Sequence, residues 1–174
     1  MRRAVITWFG CGEMPIASGT WGSAGAVIPA VAWYAACRWG IGGESWTLWF
    51  HLGLLAAMLA ASAAAVAWGP WAVNEFASHR NTRKPGDPGA FVLDEVAGQW
   101  LSLLALPIGD VRQAAIVGAV QFFLFRIADI LKPPPGRRLE KLPHGWGILL
   151  DDLSSAIWAN AAGQLLFRAV LDWK

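Results

Sequence analysis

Five carboxylates stand beside strongly apolar stretches of this chain, in three separate places. They are Asp94, Glu95, Asp129, Asp151 and Asp152. A carboxylate at bilayer depth costs about 2.5–3.5 kcal/mol on insertion scales, so five of them require partners. Carboxylate oxygens, completed by water and substrate phosphate, are the ligands that Mg²⁺ takes in proteins. The residue types therefore predict a magnesium site that polarises a phosphoryl oxygen and activates water, with one spare acid as general base.

Cations accompany the middle acid. Arg126, Asp129 and Lys132 are spaced three residues apart and share one side of a helix that Pro133 must end. A local salt bridge is one interpretation of this spacing. Phosphate binding by Arg126 or Lys132 is the other, and arginine can bind phosphate through two parallel hydrogen bonds. The basic residues that follow are expected to face anionic headgroups; they are Arg137, Arg138 and Lys141.

Three further polar residues are candidates for substrate contact. Thr20 and Ser23 belong to GTWGS (19–23), where their hydroxyls could bind a phosphate or cap a helix. His144 lies beside Gly145 in a glycine-rich turn, as a solvated loop histidine or as a substrate contact. Each acid taken alone could also cap a helix or join an interfacial ion pair. Only the convergence of the three acidic segments makes a site, and spacing does not prove it.

The composition indicates the elements that must position these residues. The 174 residues are 56% hydrophobic and only 15% charged, whereas soluble domains carry about 25% charge. We therefore expect one integral membrane domain over residues 1–174. The net charge of +2 is too small to imply nucleic-acid binding. The two cysteines show no CxxC spacing, which indicates neither a thiolate metal site nor a disulfide framework.

Apolar segments predict an all-α membrane bundle of about four spanning or re-entrant helices. The segments are 24–39, Trp46–Trp68, Val96–Ile108, Val111–Phe125 and Ile148–Val170. A span needs about 20 residues, so the second segment is long enough to cross. The third and fourth are expected to form two short, tilted or re-entrant helices joined by a turn, not two full spans.

The basic residues predict which side these segments face. Ten of the fourteen Lys and Arg lie at the N-terminus, in 69–94 or in 126–147. Cytoplasmic loops collect Lys and Arg, so we expect the N-terminus and both loops inside, with the active site facing the cytoplasm.

Four elements carry a resemblance to a known family. GTWGS (19–23), DEVAGQ (94–99), FRIADILKPPP (125–135) and GWGILLDD (145–152) resemble, in the same order, the phosphatidylglycerophosphatase A family of bacterial membrane phosphatases. The resemblance implies Mg²⁺-dependent removal of the terminal phosphate of phosphatidylglycerophosphate, a phospholipid in the bilayer of the bacterial inner membrane. It implies that the five acids bind metal and catalyse, and that Arg126 and Lys132 bind phosphate.

The chain departs from the family pattern at three places. Ala128 replaces a larger apolar residue, which is a packing change. After the aspartate pair, the family usually has a hydrophobic pair followed by Ala-Gly, and this chain has instead Leu153, Ser154, Ser155 and Ala156. Gly136 replaces the usual isoleucine after the prolines and is expected to loosen that loop.

A small membrane transporter or ion-translocating subunit is the alternative function. Such a protein would use intramembrane acids as ion or proton sites, and it predicts acids deep within the spans. Here the acids cluster at segment margins beside a basic loop, and this arrangement favours phosphate chemistry.

Overall fold

The computed structural model describes residues 1–41, 43, 45–77, 88–142 and 145–173, and within these ranges it contains helices and no strand. The described α-helices are α1 (Arg2–Ile6), α2 (Ser18–Gly40), α3 (Trp46–Glu75), α4 (Leu93–Ser102), α5 (Val111–Leu131), α6 (Gly136–Leu139) and α7 (Gly145–Gln164). A 3₁₀ turn, Cys11–Glu13, precedes α2, and a π-helix, Leu165–Val170, continues α7. The all-α prediction is confirmed.

Two described helices are long and apolar enough to cross a membrane. They are α3, with 30 residues and a mean hydropathy of 1.9, and α5, with 21 residues and a mean hydropathy of 1.8. The expectation that the fourth segment forms a short helix is wrong, because α5 continues beyond Phe125 to Leu131; its end just before Pro133 agrees with the predicted stop. Arg126 and Asp129 lie inside this helix without interrupting its backbone hydrogen bonds. Lys132, with a positive φ of 48°, ends the helix immediately before Pro133.

Helix α4 is short and lies at the centre of the bundle. It has ten residues, as expected for the third segment, and packs against α2, α3, α5 and α7. The indole of Trp100 donates to the carbonyl of Ala26 at 2.9 Å. Beyond the end of α4, Asn160 Nδ2 on α7 donates to the carbonyls of Ser102 and Leu104 at 2.9 and 2.8 Å. Such donors satisfy the carbonyls that a buried helix end leaves without a partner.

Helices α3 and α7 cross where two glycines face each other. A Cβ on Gly69 would lie 2.7 Å from Cα of Gly145, and a Cβ on Gly145 would lie 2.8 Å from the carbonyl oxygen of Ala65. Neither glycine could take a side chain without a backbone shift. This close crossing sets where α7 begins, and therefore where its two aspartates lie.

One end of the bundle collects the N-terminal segment and the acidic residues; we call it the acidic end. The amide of Val92, just before α4, donates to the carbonyl of Ile6 at 3.1 Å. The guanidinium of Arg3 lies 5.6 Å from the ring centroid of Phe76, just after α3. The beginnings of α4 and α7 and the end of α5 therefore lie on the same side as the N-terminus.

Candidate active site

Three helices bring the five predicted acids together at the acidic end. Asp94 and Glu95 come from the first turn of α4, Asp129 from the last turns of α5, and the remaining pair from α7. Carboxylate oxygens of Asp94, Glu95 and Asp152 lie within 4.8 Å of one another. Those of Asp129, Asp151 and Asp152 meet the same limit. Asp152 belongs to both groups, so the two groups form one continuous acidic cluster.

The acidic cluster is buried and its oxygens are incompletely hydrogen-bonded. Asp151 and Asp152 are 3% and 5% exposed. Among the described residues, Glu95 Oε2, Asp151 Oδ1 and Asp152 Oδ2 have no hydrogen-bond partner. Burial and the nearby charge of Asp152 raise the pKa of Glu95 well above its usual value. Buried anions require a compensating charge, and this all-oxygen set fits a hard divalent cation such as Mg²⁺.

Arg126 connects the α5 acid to the α4 acids. Its Nη1 lies 2.9 Å from Asp129 Oδ2 and 4.0 Å from Glu95 Oε1. The local salt bridge that the spacing indicated is therefore present, and it is directed at the site. The Nε of Arg126 is buried and, among the described residues, has no hydrogen-bond partner. A phosphate oxygen is the kind of acceptor that this donor lacks.

Lys132 contacts an acid that sequence spacing did not indicate. Its Nζ forms a short hydrogen-bonded ion pair with Asp151 Oδ2 and lies 3.5 Å from Glu140 Oε1. Burial lowers the pKa of Lys132, but the hydrogen bond and charge of Asp151, with the charge of Glu140, outweigh it and raise the pKa above its usual value. Glu140 is a site residue that the sequence pattern does not single out; its one signal is that it stands alone as an acid among the basic residues of that loop.

The start of α2 packs directly against the site. A Cβ on Gly19 would lie 2.0 Å from Glu95 Oε1 and 3.2 Å from Arg126 Nη1. Glycine therefore lets α2 approach the acidic cluster without displacing the Glu95 carboxylate, which any larger residue would move. Ser23 is buried and its hydroxyl donates to the carbonyl of Gly19 at 2.9 Å, within the helix. Thr20 is half-buried in the first turn of α2.

The remaining residues that the sequence singled out lie at other places in the structure. His144 lies outside the described residues. Gly136, expected to loosen its loop, is instead buried at the start of α6, where a Cβ would lie 3.0 Å from Asp151 Oδ1. Because Gly136 has no side chain, the loop after α5 can pack against the carboxylate of Asp151. Ser154 and Ser155 are both buried on α7.

The family model described as phosphatidylglycerophosphatase A matches residues 4–167. A protein of Bacteroides thetaiotaomicron with the provisional name phosphatidylinositol-3-phosphatase is 33% identical over 170 residues, which cover 96% of this chain and 91% of that protein.

Two further relatives carry the family's own name. Phosphatidylglycerophosphatase A of Escherichia coli K12 is 32% identical over 91% of this chain and 78% of its own length. The protein of the same name from Haemophilus influenzae is 45% identical over 42% of this chain and 43% of its own length. No solved structure matches significantly.

The matched region contains all three acidic segments, the Arg126–Lys132 element and the glycine-rich start of α2. With its two apolar helices, the chain is a membrane-associated enzyme of the phosphatase class. It belongs to the phosphatidylglycerophosphatase A family.

Proposed function

We propose that this protein is a Mg²⁺-dependent lipid phosphatase that hydrolyses phosphatidylglycerophosphate to phosphatidylglycerol and phosphate. The observation that carries the proposal is the meeting of five acids from α4, α5 and α7 with the guanidinium of Arg126. A cluster of hard oxygen ligands next to a phosphate-binding cation has the composition that phosphate monoester hydrolysis needs.

The reaction places a different demand on each part of the site. Bound Mg²⁺ supplies polarisation of a phosphoryl oxygen and activation of water. The acidic cluster holds the cation, and one of its carboxylates accepts the proton of the attacking water. Arg126 donates to the phosphate oxygens that do not react and stabilises their growing negative charge. Lys132 holds Asp151 in position. Water attacks phosphorus, the bond from phosphorus to the glycerol oxygen breaks, and that oxygen takes up a proton.

We place the site at the cytoplasmic face of the bacterial inner membrane, with α3 and α5 among the spans of a multi-pass protein. The acidic end carries Arg3 near the N-terminus and Arg137 and Arg138 after α5. Because these arginines lie at the acidic end, the rule that Lys and Arg collect on the cytoplasmic side supports a cytoplasmic site. The ion-translocating alternative expects acids deep in the bundle, and it is disfavoured by a cluster at one end.

Hydrolysis by purified protein in detergent tests the proposal. We expect phosphate release from phosphatidylglycerophosphate that stops with EDTA and returns with MgCl₂. Asp129→Asn and Asp151→Asn should each abolish turnover in folded protein. Glu13→Gln is the control, because Glu13 is an exposed acid paired with Arg3 outside the cluster. Normal rates in both aspartate variants would show that the acids are structural.

A second substrate is favoured by one relative's name. The Bacteroides protein is named for a phosphatidylinositol phosphate. In that lipid and in phosphatidylglycerophosphate, a phosphodiester joins diacylglycerol to a headgroup alcohol, and the headgroup carries the phosphate monoester. The same assay with phosphatidylinositol 3-phosphate measures the preference as a ratio of kcat/KM; we expect the glycerol lipid to be hydrolysed faster.

A further inference from the structure

An open groove lies beside the acidic cluster, and Lys132 is the one of its lining residues that the mechanism above uses. Its volume is about 470 Å³. It is lined by Leu131, Lys132, Pro133, Pro134, Pro135, Arg137 and Arg138. We call it the proline groove. Two of its lining residues are arginines that contact none of the five acids in the described structure, so the groove carries positive charge of its own.

Lys132 connects the proline groove to the acids. It is one of the residues that line the groove, and its Nζ bonds Asp151. A molecule in the groove would therefore be one side chain away from the acidic cluster. Arg137 Nη2 donates to the carbonyl of Leu131 at 3.4 Å, which holds this guanidinium at the groove.

The other side of the proline groove continues into an apolar surface. Phe123, Ile127, Ile130 and Leu131 are all exposed on α5. Their spacing puts them on one face of the helix, and Leu131 belongs to the groove itself. Trp158 on α7 donates its indole N–H to the carbonyl of Pro134 at 2.9 Å, which fixes the proline segment against α7. The groove thus lies between an exposed apolar helix face and the acids.

We propose that the proline groove binds the phosphodiester of the glycerophospholipid substrate while its terminal phosphate lies among the acids. Acyl chains, diester and terminal phosphate follow one another in such a lipid. The apolar face of α5, the arginine pair and the acidic cluster follow one another in the protein. The inference rests on the proposed function and deepens it, because the groove selects lipids with a diester before the monoester. Phosphatidic acid, whose monoester is attached directly to diacylglycerol, gains nothing from the groove.

The test removes the two arginine charges of the groove and compares the effect with that of removing two charges elsewhere. Arg137→Gln/Arg138→Gln is compared with Arg2→Gln/Arg112→Gln, which removes the same charge from exposed residues that do not line the groove. Because each groove arginine would lose a charge-assisted hydrogen bond to the diester, we expect the groove variant to raise KM for phosphatidylglycerophosphate about tenfold or more. The control variant should change KM by less than about twofold, because neither of its residues lines the groove and exposed charges away from a binding site contribute little.

A binding measurement separates this inference from the proposed function. Calorimetric titration with phosphatidylglycerol, which has the diester alone, and with phosphatidic acid is carried out in zwitterionic micelles and needs no turnover. The groove variant should weaken phosphatidylglycerol binding about tenfold and leave phosphatidic acid binding unchanged. Groove-dependent binding without hydrolysis by the wild type would overturn the proposed function and keep the subsite. Equal losses in both double variants, or equal losses for both lipids, would overturn the subsite.

Discussion

Gly19→Ala tests whether α2 positions the acidic cluster. The new Cβ would lie 2.0 Å from Glu95 Oε1, whereas real Cβ atoms essentially never come within 3.0 Å of such an atom. The carboxylate must therefore move by about 1 Å. It is the far end of a flexible side chain, so the displacement costs little folding free energy. Alanine is also the better helix former by up to about 1 kcal/mol, and we expect thermal stability near that of the wild type.

Activity should fall much further than stability. A displacement of about 1 Å at a catalytic constellation costs about 100-fold in rate. We therefore expect kcat/KM of Gly19→Ala to fall about 100-fold, equivalent to about 2.7 kcal/mol of transition-state stabilisation. Phosphate release and thermal unfolding measured on the same preparation give both quantities. Gly40→Ala is the matched control, because a Cβ at Gly40, the last residue of α2, meets nothing within 4 Å.

A double-mutant cycle shows whether the loss acts through Glu95. In a Glu95→Gln background the clash persists, but there is no carboxylate left to displace. Gly19→Ala should then add little further loss, so the coupling energy between the two positions should approach the full effect of Gly19→Ala. Additive losses would mean that the alanine acts elsewhere. Near-wild-type activity of Gly19→Ala would refute the inference that α2 must approach this closely.

Three further perturbations test other parts of the site. Lys132→Gln leaves the buried Asp151 without its cation, so the free energy of unfolding in detergent should fall by about 2 kcal/mol. Lys132→Arg should recover most of this loss. Asp152→Asn removes the acid common to both groups, so turnover should fall by about 100-fold or more even at saturating MgCl₂; full recovery at high MgCl₂ would show that Asp152 only tunes affinity. Adding MgCl₂ to EDTA-treated protein should raise the unfolding temperature of the wild type, because a ligand of the folded state stabilises it, and should leave that of Asp152→Asn unchanged.

The sequence singles out the acids that the structure brings together, but it does not specify their geometry. Asp94 and Glu95 reach the cluster because α4 is buried between four helices, and no spacing rule specifies that position. The expected local partner of Lys132 was Asp129, yet Lys132 leaves α5 with a positive φ and turns toward Asp151. The apolar run alone underestimates α5, because the run ends at Phe125 while the helix continues through Arg126 and Asp129 to Leu131. A charge at a membrane margin changes which face is apolar without ending a helix.

Helix ends explain why the cations of this site come from α5. Asp94 and Glu95 lie in the first turn of α4, where the partial positive charge of the helix N-terminus favours anions. Asp129 lies two residues before the end of α5, where the partial charge is negative and disfavours it. Arg126, one turn earlier on α5, pairs with Asp129, and Lys132, just beyond the helix end, pairs with Asp151 of α7. An acid in the last turns of a helix therefore needs a neighbouring cation, and Arg126 on the same face of α5 is that cation for Asp129.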